Sequence, residues 1–188
     1  SDVYKRQYLN RWISLWTENK LREGLHYQIV FYGGRLLSHL SAADPDEIST
    51  LVSILKVNRN AAVLIDSDKS STTDSLNATK ERLIREIDDI GGLTWVTAGR
   101  EIENYIPLEI LKSYYPAIRD NTILNQFTSI EETLEATTKG EGRAFRRNKP
   151  KFAEKMVLSM TQNNIAKVMD LGSKIEGLCA KIRTWNGL

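Results

Sequence analysis

The sequence predicts an α/β fold, in which a parallel sheet is flanked by helices and is followed by helical elements at the C-terminal end. Three apolar runs carry this prediction, and they cover residues 27–34, 61–66 and 93–98. Each run is short, rich in β-branched or aromatic residues and bounded by turn residues, which is typical of a strand. Because the runs lack polar alternation, both of their faces need cover, as in a parallel sheet between helices.

Helical patterns separate the three runs. Leu9, Trp12, Ile13 and Trp16 repeat at the spacing of one helix face and predict a helix over 8–20. The other expected helices cover 35–40, 44 or 46 to about 57, 74–90, 102–115 with a kink at Pro107, 151–161 and about 165–186. Strands that alternate with helices in this way favour βαβ crossovers and a parallel sheet.

Length and composition predict one ordinary globular unit. The 188 residues carry a net charge of +2, so bulk charge alone does not indicate a nucleic-acid binder. A single cysteine, Cys179, excludes an internal disulfide framework, fits the reducing cytoplasm and is expected to be a buried thiol. No stretch approaches the roughly 20 apolar residues that span a bilayer, so we expect no membrane association.

A change of character after Pro116 suggests two parts, a sheet domain over 8–118 and a basic loop with helices over 119–188 that pack on it. The opening SDVYKRQ is polar, unpatterned and without an initiator Met. We therefore expect a fragment of a longer protein, and these first residues need not be native.

Two aspartates directly follow the second apolar run, in AAVLIDSDKS. In an extended chain, residues two apart point to the same side, so Asp66 and Asp68 would face one spot at the carboxyl end of the strand. Open α/β sheets bind ligands at that edge. A divalent cation such as Mg²⁺ would relieve the repulsion between the two carboxylates. The alternative is that Asp66 only caps the next helix or starts a turn.

A second pair of acids follows the third run, in TAGREIENY. If the two strands are neighbours, Glu101 and Glu103 join Asp66 and Asp68 at one edge of the sheet. The alternative is that both glutamates occupy the first turn of the next helix, where the helix dipole favours acids. Two-metal phosphodiester chemistry, with metals about 4 Å apart, fits four such acids best.

Three other chemistries that place acids after a strand fit less well. Haloacid-dehalogenase-like phosphatases need D-x-D-x-[TV], and position 70 here is Ser. Phosphoacceptor receiver domains carry their aspartate on a later strand than their acid pair. Sugar-nucleotide transferases use D-x-D without a second acid pair of this form.

The strongest local positive patch lies in KGEGRAFRRNKPK, predicted as a Gly-rich loop, and in the start of the following helix. Its seven basic residues are Lys139, Arg143, Arg146, Arg147, Lys149, Lys151 and Lys155. Such residues supply salt-dependent affinity for phosphates without reading sequence. The alternative is a mobile, solvated loop. We expect Phe145, within this patch, to anchor in the core rather than stack on a base.

Four stretches together resemble the TOPRIM domain of the OLD (overcoming lysogenization defect) family of nucleases: FYGGRLLSHL, NRNAAVLIDSDK, NATK and GREIENYIP. NKPKFAEKMV and the apolar spacing of the last helix are similar to the C-terminal helices of that family. The resemblance implies a Rossmann-like sheet and a DNA endonuclease that uses Mg²⁺ or Mn²⁺ in a two-metal site. It also implies an ABC-type ATPase domain earlier in the same polypeptide, a cytoplasmic location and DNA as substrate, and it leaves a homodimer open.

The same resemblance implies roles for individual residues. Asp66 and Asp68 match the D-x-D metal ligands, and Glu101 and Glu103 match the later acids, with Glu103 the weaker assignment. Lys149 matches a lysine near the scissile phosphate, with Lys151 as the alternate. The set we expect to carry catalysis is therefore Lys149, Asp66 and Glu101, and the residues expected to contact DNA are Arg143, Arg146, Arg147 and Lys151.

The sequence also departs from the family pattern. A TOPRIM domain opens with a strand that ends in Glu-Gly, and here SDVYKRQ precedes the first helix instead. The expected first strand and its glutamate are missing, so this chain alone need not bind two metals or cleave DNA. A topoisomerase or primase type of TOPRIM domain, and a non-catalytic module that binds nucleic acid or a protein partner, remain open as alternatives.

Overall fold

The computed structural model describes residues 3–30, 53, 56–118 and 126–188, and within these ranges the protein is a mixed α/β structure. Eight α-helices, one short 3₁₀ helix and a two-stranded parallel sheet occur in them. The elements are α1 (Val3–Thr17), β1 (Ala62–Ile65), α2 (Ala78–Asp89), β2 (Leu93–Val96), the 3₁₀ helix (Ile102–Tyr105), α3 (Leu108–Tyr114), α4 (Ile130–Thr137), α5 (Glu141–Arg147), α6 (Lys149–Leu158), α7 (Gln162–Ala166) and α8 (Leu171–Asn186).

The sheet confirms two of the three predicted strands. β1 and β2 pair in parallel, with Ala62 opposite Leu93 and Ile65 opposite Val96. Helix α2 connects them, so the predicted βαβ unit is present. The register also brings the two carboxyl ends to the same edge, and the residues that follow each strand therefore leave the sheet side by side. The prediction that β1 is buried throughout is wrong, because Ala62 is exposed and only Ile65 is fully buried.

The first of the three predicted strands, 27–34, is not a strand over 27–30, the part of it that the structure describes. Tyr27 forms an isolated bridge with Glu23, and 28–30 lie outside any strand. Residues 31–34, the helix predicted at 35–40 and most of the helix predicted up to about 57 lie outside the described residues.

Helix α2 forms where a cap and an apolar face coincide. The Asn77 side chain accepts a hydrogen bond from the backbone N–H of Lys80, which satisfies one of the free donors of the first turn. Leu83 and Ile87 are fully buried and pack with Ile65 of β1. Gly91 follows with a φ of +76°, a conformation that glycine adopts without strain.

The main core lies between α1, β2, the 3₁₀ helix and the C-terminal helices. Trp12 of α1 contacts Trp95 of β2 and Tyr105 of the 3₁₀ helix, with ring centroids 6.0 and 5.8 Å apart. Helix α6 packs against α1, and Phe152 of α6 meets Phe145 edge-to-face at 4.7 Å. Phe145 is thus a core anchor, as predicted, and the lone Cys179 is buried as expected.

Several helix boundaries differ from the prediction for local reasons. Helix α1 ends at Thr17 rather than 20, because Glu18 and Asn19 adopt positive φ angles. Pro107 does not kink one helix; it separates the 3₁₀ helix from α3, for which it is the N-cap residue. The predicted last helix is two helices, α7 and α8, separated by a turn in which Met169 has a φ of +43°.

The predicted Gly-rich basic loop is wrong, because the segment is helix α5 followed directly by α6. Gly140 begins α5 in the left-handed conformation, with a φ of +92°. Gly142 is buried against α4, where an added Cβ would collide with the backbone carbonyl of Glu131 and the side chain of Glu135. The second glycine therefore permits close packing of two helices, and it does not signal flexibility.

None of the helices in the described ranges combines the length and the apolar character that crossing a membrane requires. The division of the chain near residue 118 stays a prediction.

Candidate active site

The segments that follow β1 and β2, which carry the two pairs of acids, meet at the carboxyl edge of the sheet. Asp66 Oδ1 accepts a hydrogen bond of 3.0 Å from the backbone N–H of Ile102, in the segment that follows β2. The backbone N–H of Asp68 donates to the carbonyl of Arg100 at 2.8 Å. These two bonds join the D-x-D segment to the GREIE segment, so the two segments that carry the acids lie side by side, as predicted.

Asp68 does not point along an extended chain, as the prediction assumed. Strand β1 ends at Ile65, and Asp68 has a φ of +56°, in the left-handed region. The two aspartates consequently occupy different environments: 19% of the Asp66 side chain and 68% of the Asp68 side chain are exposed. The i, i+2 argument therefore assumed the wrong local geometry for Asp68.

The two glutamates also differ from each other. Glu101 is the N-cap residue of the 3₁₀ helix, and its Oε1 accepts a hydrogen bond from the backbone N–H of Ile130 at the start of α4. Glu103 lies inside the 3₁₀ helix and is completely buried. The alternative reading, in which both glutamates occupy the first turn of a helix, is therefore correct for Glu103 only, and that helix is a 3₁₀ helix.

Lys149, at the start of α6, pairs with both glutamates, although it comes much later in the sequence. Its Nζ lies 2.9 Å from Glu103 Oε1 and 3.7 Å from Glu101 Oε2. The same ammonium sits 4.9 Å from the ring centre of Tyr4 and 5.0 Å from that of Phe145. Cations are attracted to aromatic faces at this range, so the lysine is held by charge and by packing. Lys151, the alternate, is exposed on α6, and its backbone N–H is capped by Asn148.

Burial and neighbouring charge set the protonation behaviour of this pair. Burial, with the charges of Glu101 and Asp66, raises the pKa of Glu103 to about 7, and the attraction of Lys149 only partly offsets this. Burial opposes the charge of Lys149, but Glu103 and Glu101 outweigh it, so the pKa of the lysine is raised. The site thus holds a buried carboxyl that titrates near neutrality beside a firmly charged ammonium.

Two further lysines contact the aspartates, and the sequence reasoning missed both. Lys5 Nζ lies 2.6 Å from Asp66 Oδ2, although Lys5 belongs to the opening segment that need not be native. Lys80 of α2 is paired with Asp68 Oδ2 and donates to the backbone carbonyl of Asp66 at 2.8 Å. A lysine in the first turn of the helix that follows an acidic strand end is the signal that could have found Lys80.

The residues predicted to contact DNA lie on α5 and at the start of α6. Arg143, Arg146, Arg147 and Lys151 are all exposed. Arg146 is paired with Glu131 of α4 at 3.2 Å, which leaves its charge partly neutralised. Because Lys149 begins the helix that directly follows Arg147, the exposed basic residues adjoin the acid site along the chain.

The donor atoms of the site suit a hard divalent cation. Carboxylate oxygens are the ligands that Mg²⁺ and Mn²⁺ prefer. Glu103 Oε2 is buried and accepts no hydrogen bond in the described structure, so a cation bound at this oxygen would satisfy it. Among the described residues, no three His, Cys, Asp or Glu side chains already converge as a metal-binding group. Each of the four carboxylates is paired with an ammonium group instead, from Lys5, Lys80 or Lys149.

Comparison of this chain with protein-family models, with curated proteins and with solved structures gives no match.

Proposed function

We propose that this chain is a TOPRIM-like, metal-dependent DNA endonuclease module that hydrolyses phosphodiester bonds. One observation carries the proposal: the two segments that carry the acid pairs lie side by side at the carboxyl edge of two parallel strands, and Lys149 pairs with both glutamates there. Open α/β sheets bind ligands at this edge. The sequence resemblance supports the same assignment. It also leads us to propose an ABC-type ATPase domain in the full-length polypeptide.

Each residue has a distinct part in this proposal. Asp66, Asp68, Glu101 and Glu103 would hold Mg²⁺ or Mn²⁺ through carboxylate oxygens. When bound, a divalent cation supplies Lewis-acid stabilisation of the negative charge on the phosphate. Lys149 is fixed 2.9 Å from Glu103, so its ammonium is already oriented when a phosphate arrives. Its positive charge stabilises the charge that develops on the phosphate oxygens.

The exposed basic residues of α5 and α6 bind the DNA backbone in this proposal. Arg143, Arg147 and Lys151 are exposed and offer positive charge next to Lys149 in the chain. Contacts to phosphates position the duplex without reading its sequence. We therefore expect binding that weakens steeply with salt and shows little sequence preference.

A plasmid cleavage assay tests the proposal. Supercoiled DNA is incubated with the chain and Mn²⁺, and the nicked and linear products are compared with those of Asp66→Asn and Lys149→Met. We expect both variants to lose whatever cleavage the unaltered chain shows, with DNA binding retained. Asp89→Asn is the matched control, because Asp89 is an exposed acid at the far end of α2 and should leave cleavage unchanged.

A non-catalytic nucleic-acid-binding module is the second candidate. The ion pairs that Asp66, Asp68 and Glu103 form with lysines favour it, because ion-paired acids can serve folding alone. This candidate predicts that the unaltered chain binds DNA without cleaving it, and that Asp66→Asn binds DNA equally well. Cleavage of the plasmid by the unaltered chain would exclude this second candidate.

A further inference from the structure

Lys80 is the most deeply buried cation at the acid site. Only 4% of its side chain is exposed, compared with 26% of the Lys149 side chain. Lysine is almost never buried to this extent unless its charge is paired. Its Nζ has two acceptors, the backbone carbonyl of Asp66 at 2.8 Å and the carboxylate of Asp68. The ammonium thus bridges the end of β1 and the side chain two residues later.

The position of Lys80 in α2 carries a local cost. It lies in the first turn, three residues after the N-cap Asn77, where the positive end of the helix dipole disfavours a cation. Ordering a lysine side chain also costs up to about 2 kcal/mol of conformational entropy. Residues that break a local rule in this way are expected at functional sites. Only the contacts to Asp66 and Asp68 offset the cost in the described structure.

Among the described residues, Lys80 is the hydrogen-bond and ion-pair partner of the Asp68 side chain. The backbone of Asp68 has a φ of +56°, and 68% of its side chain is exposed. The ion pair with Lys80 engages Oδ2, and the exposed carboxylate can still accept a second ligand from the solvent side. Without the lysine, an exposed aspartate would sample several rotamers. The lysine therefore selects one orientation for a carboxylate that is otherwise free to rotate.

We propose that Lys80 is a positioning residue of the acid site, which holds the Asp68 carboxylate in the orientation that binds a divalent cation. This inference rests on the proposed function for the identity of the ligand. It adds to the proposed site a residue that belongs to neither acid pair. Lys80 would act on metal binding through Asp68, because a charged ammonium cannot itself bind a metal.

Calorimetric titration of Mn²⁺ into the full chain tests the role. Loss of a partner that orients a metal ligand typically weakens metal binding 10- to 100-fold, and we expect a loss of about this size for Lys80→Met. Lys181→Met is the matched control, because it removes the same charge from an exposed position on α8 and should bind Mn²⁺ like the unaltered chain.

A double-mutant cycle distinguishes positioning from a general structural role. If Lys80 acts through Asp68, Lys80→Met should weaken Mn²⁺ binding no further in an Asp68→Asn background. Equal losses with and without Asp68 would overturn the proposal, as would unchanged or tighter binding by Lys80→Met. Tighter binding would mean that the lysine competes with the cation.

Folding is checked by circular dichroism on each variant. Should Lys80→Met fail to fold, Lys80→Arg carries the test, because it keeps the charge but cannot place a compact ammonium between the same two acceptors. Weaker Mn²⁺ binding by Lys80→Arg supports the role, and binding equal to that of the unaltered chain refutes it. If the unaltered chain binds Mn²⁺ and Lys80→Met binds it equally well, this inference alone is refuted. No binding by the unaltered chain refutes the proposed function and this role together.

Discussion

Replacement of Glu103 by glutamine should change how the stability of the metal-free chain depends on pH. The folded protein raises the pKa of Glu103 from its ordinary 4.5 to about 7. Between these two values the folded chain therefore holds a proton that the unfolded chain has released. The free energy of unfolding must then fall as pH rises through this window, because the unfolded state binds fewer protons.

The expected size follows from the same two values. A shift from 4.5 to about 7 corresponds to roughly 3 kcal/mol, which is present below the lower value and lost above the upper one. The groups around Glu103 are Tyr8 of α1, Glu101, Asp66 and Lys149. Lys149 titrates above neutrality, since its pKa is raised, and so it contributes no slope in this window.

Urea denaturation in the presence of a chelator, at intervals from about pH 5 to about pH 8, measures the effect. The difference between the unaltered chain and Glu103→Gln isolates the carboxyl from all other titrating groups. We expect the unaltered chain to lose about 3 kcal/mol more than Glu103→Gln across the range. Glu176→Gln, on the exposed side of α8, is the control and should follow the unaltered chain. Parallel curves for the unaltered chain and Glu103→Gln would refute the reasoning.

Three further predictions concern packing, a buried network and DNA binding. Gly142→Ala should lower the free energy of unfolding in urea by about 1–3 kcal/mol, because the added methyl group collides with α4. Gly177→Ala should raise it by up to about 1 kcal/mol, because Gly177 is helical and the added Cβ meets no neighbouring atom within 4 Å. Losses of equal size in both variants would contradict this. Tyr105→Phe should lower the free energy of unfolding by about 1–3 kcal/mol, because the Tyr105 hydroxyl donates to Asp170 at 2.6 Å and accepts hydrogen bonds from two N–H groups. Tyr114→Phe, at a partly exposed site, is the control and should be neutral. Thermal unfolding measures both, and equal effects of the two variants would contradict the prediction. Arg147→Ala should weaken DNA binding and reduce the slope of log affinity against log salt by about one, and an unchanged slope would exclude a phosphate contact.

The strands and helices that flank the site were predictable because their signals are local. The runs at 61–66 and 93–98 have strand composition and turn residues at their ends, and β1 and β2 lie inside them. Helix α2 has a capping residue and an apolar face within twelve residues. The four acids were predicted for the same reason, since the aspartates directly follow β1 and the glutamates come a few residues after β2.

What the sequence did not show depends on contacts between distant segments. The basic segment around Gly142 was predicted as a loop because glycine weakens a helix, and only close packing against α4 explains why a helix forms there. Lys80 gains its meaning from Asp66 and Asp68, which lie twelve or more residues away. Lys149 could be nominated by resemblance alone, because nothing in its own segment indicates that α6 brings it to Glu103.

The most direct measurement of the central claim is a calorimetric titration of Mn²⁺ into the chain and into Asp66→Asn. Asp66 is the acid that joins the two strand ends, through its hydrogen bond with the backbone N–H of Ile102. If the acids at the sheet edge form a metal site, the unaltered chain and the Asp89→Asn control bind Mn²⁺, and Asp66→Asn loses most of that affinity. Mn²⁺ binding that is equal in all three chains, or absent from all three, would contradict the assignment of this edge as a metal-dependent nuclease site.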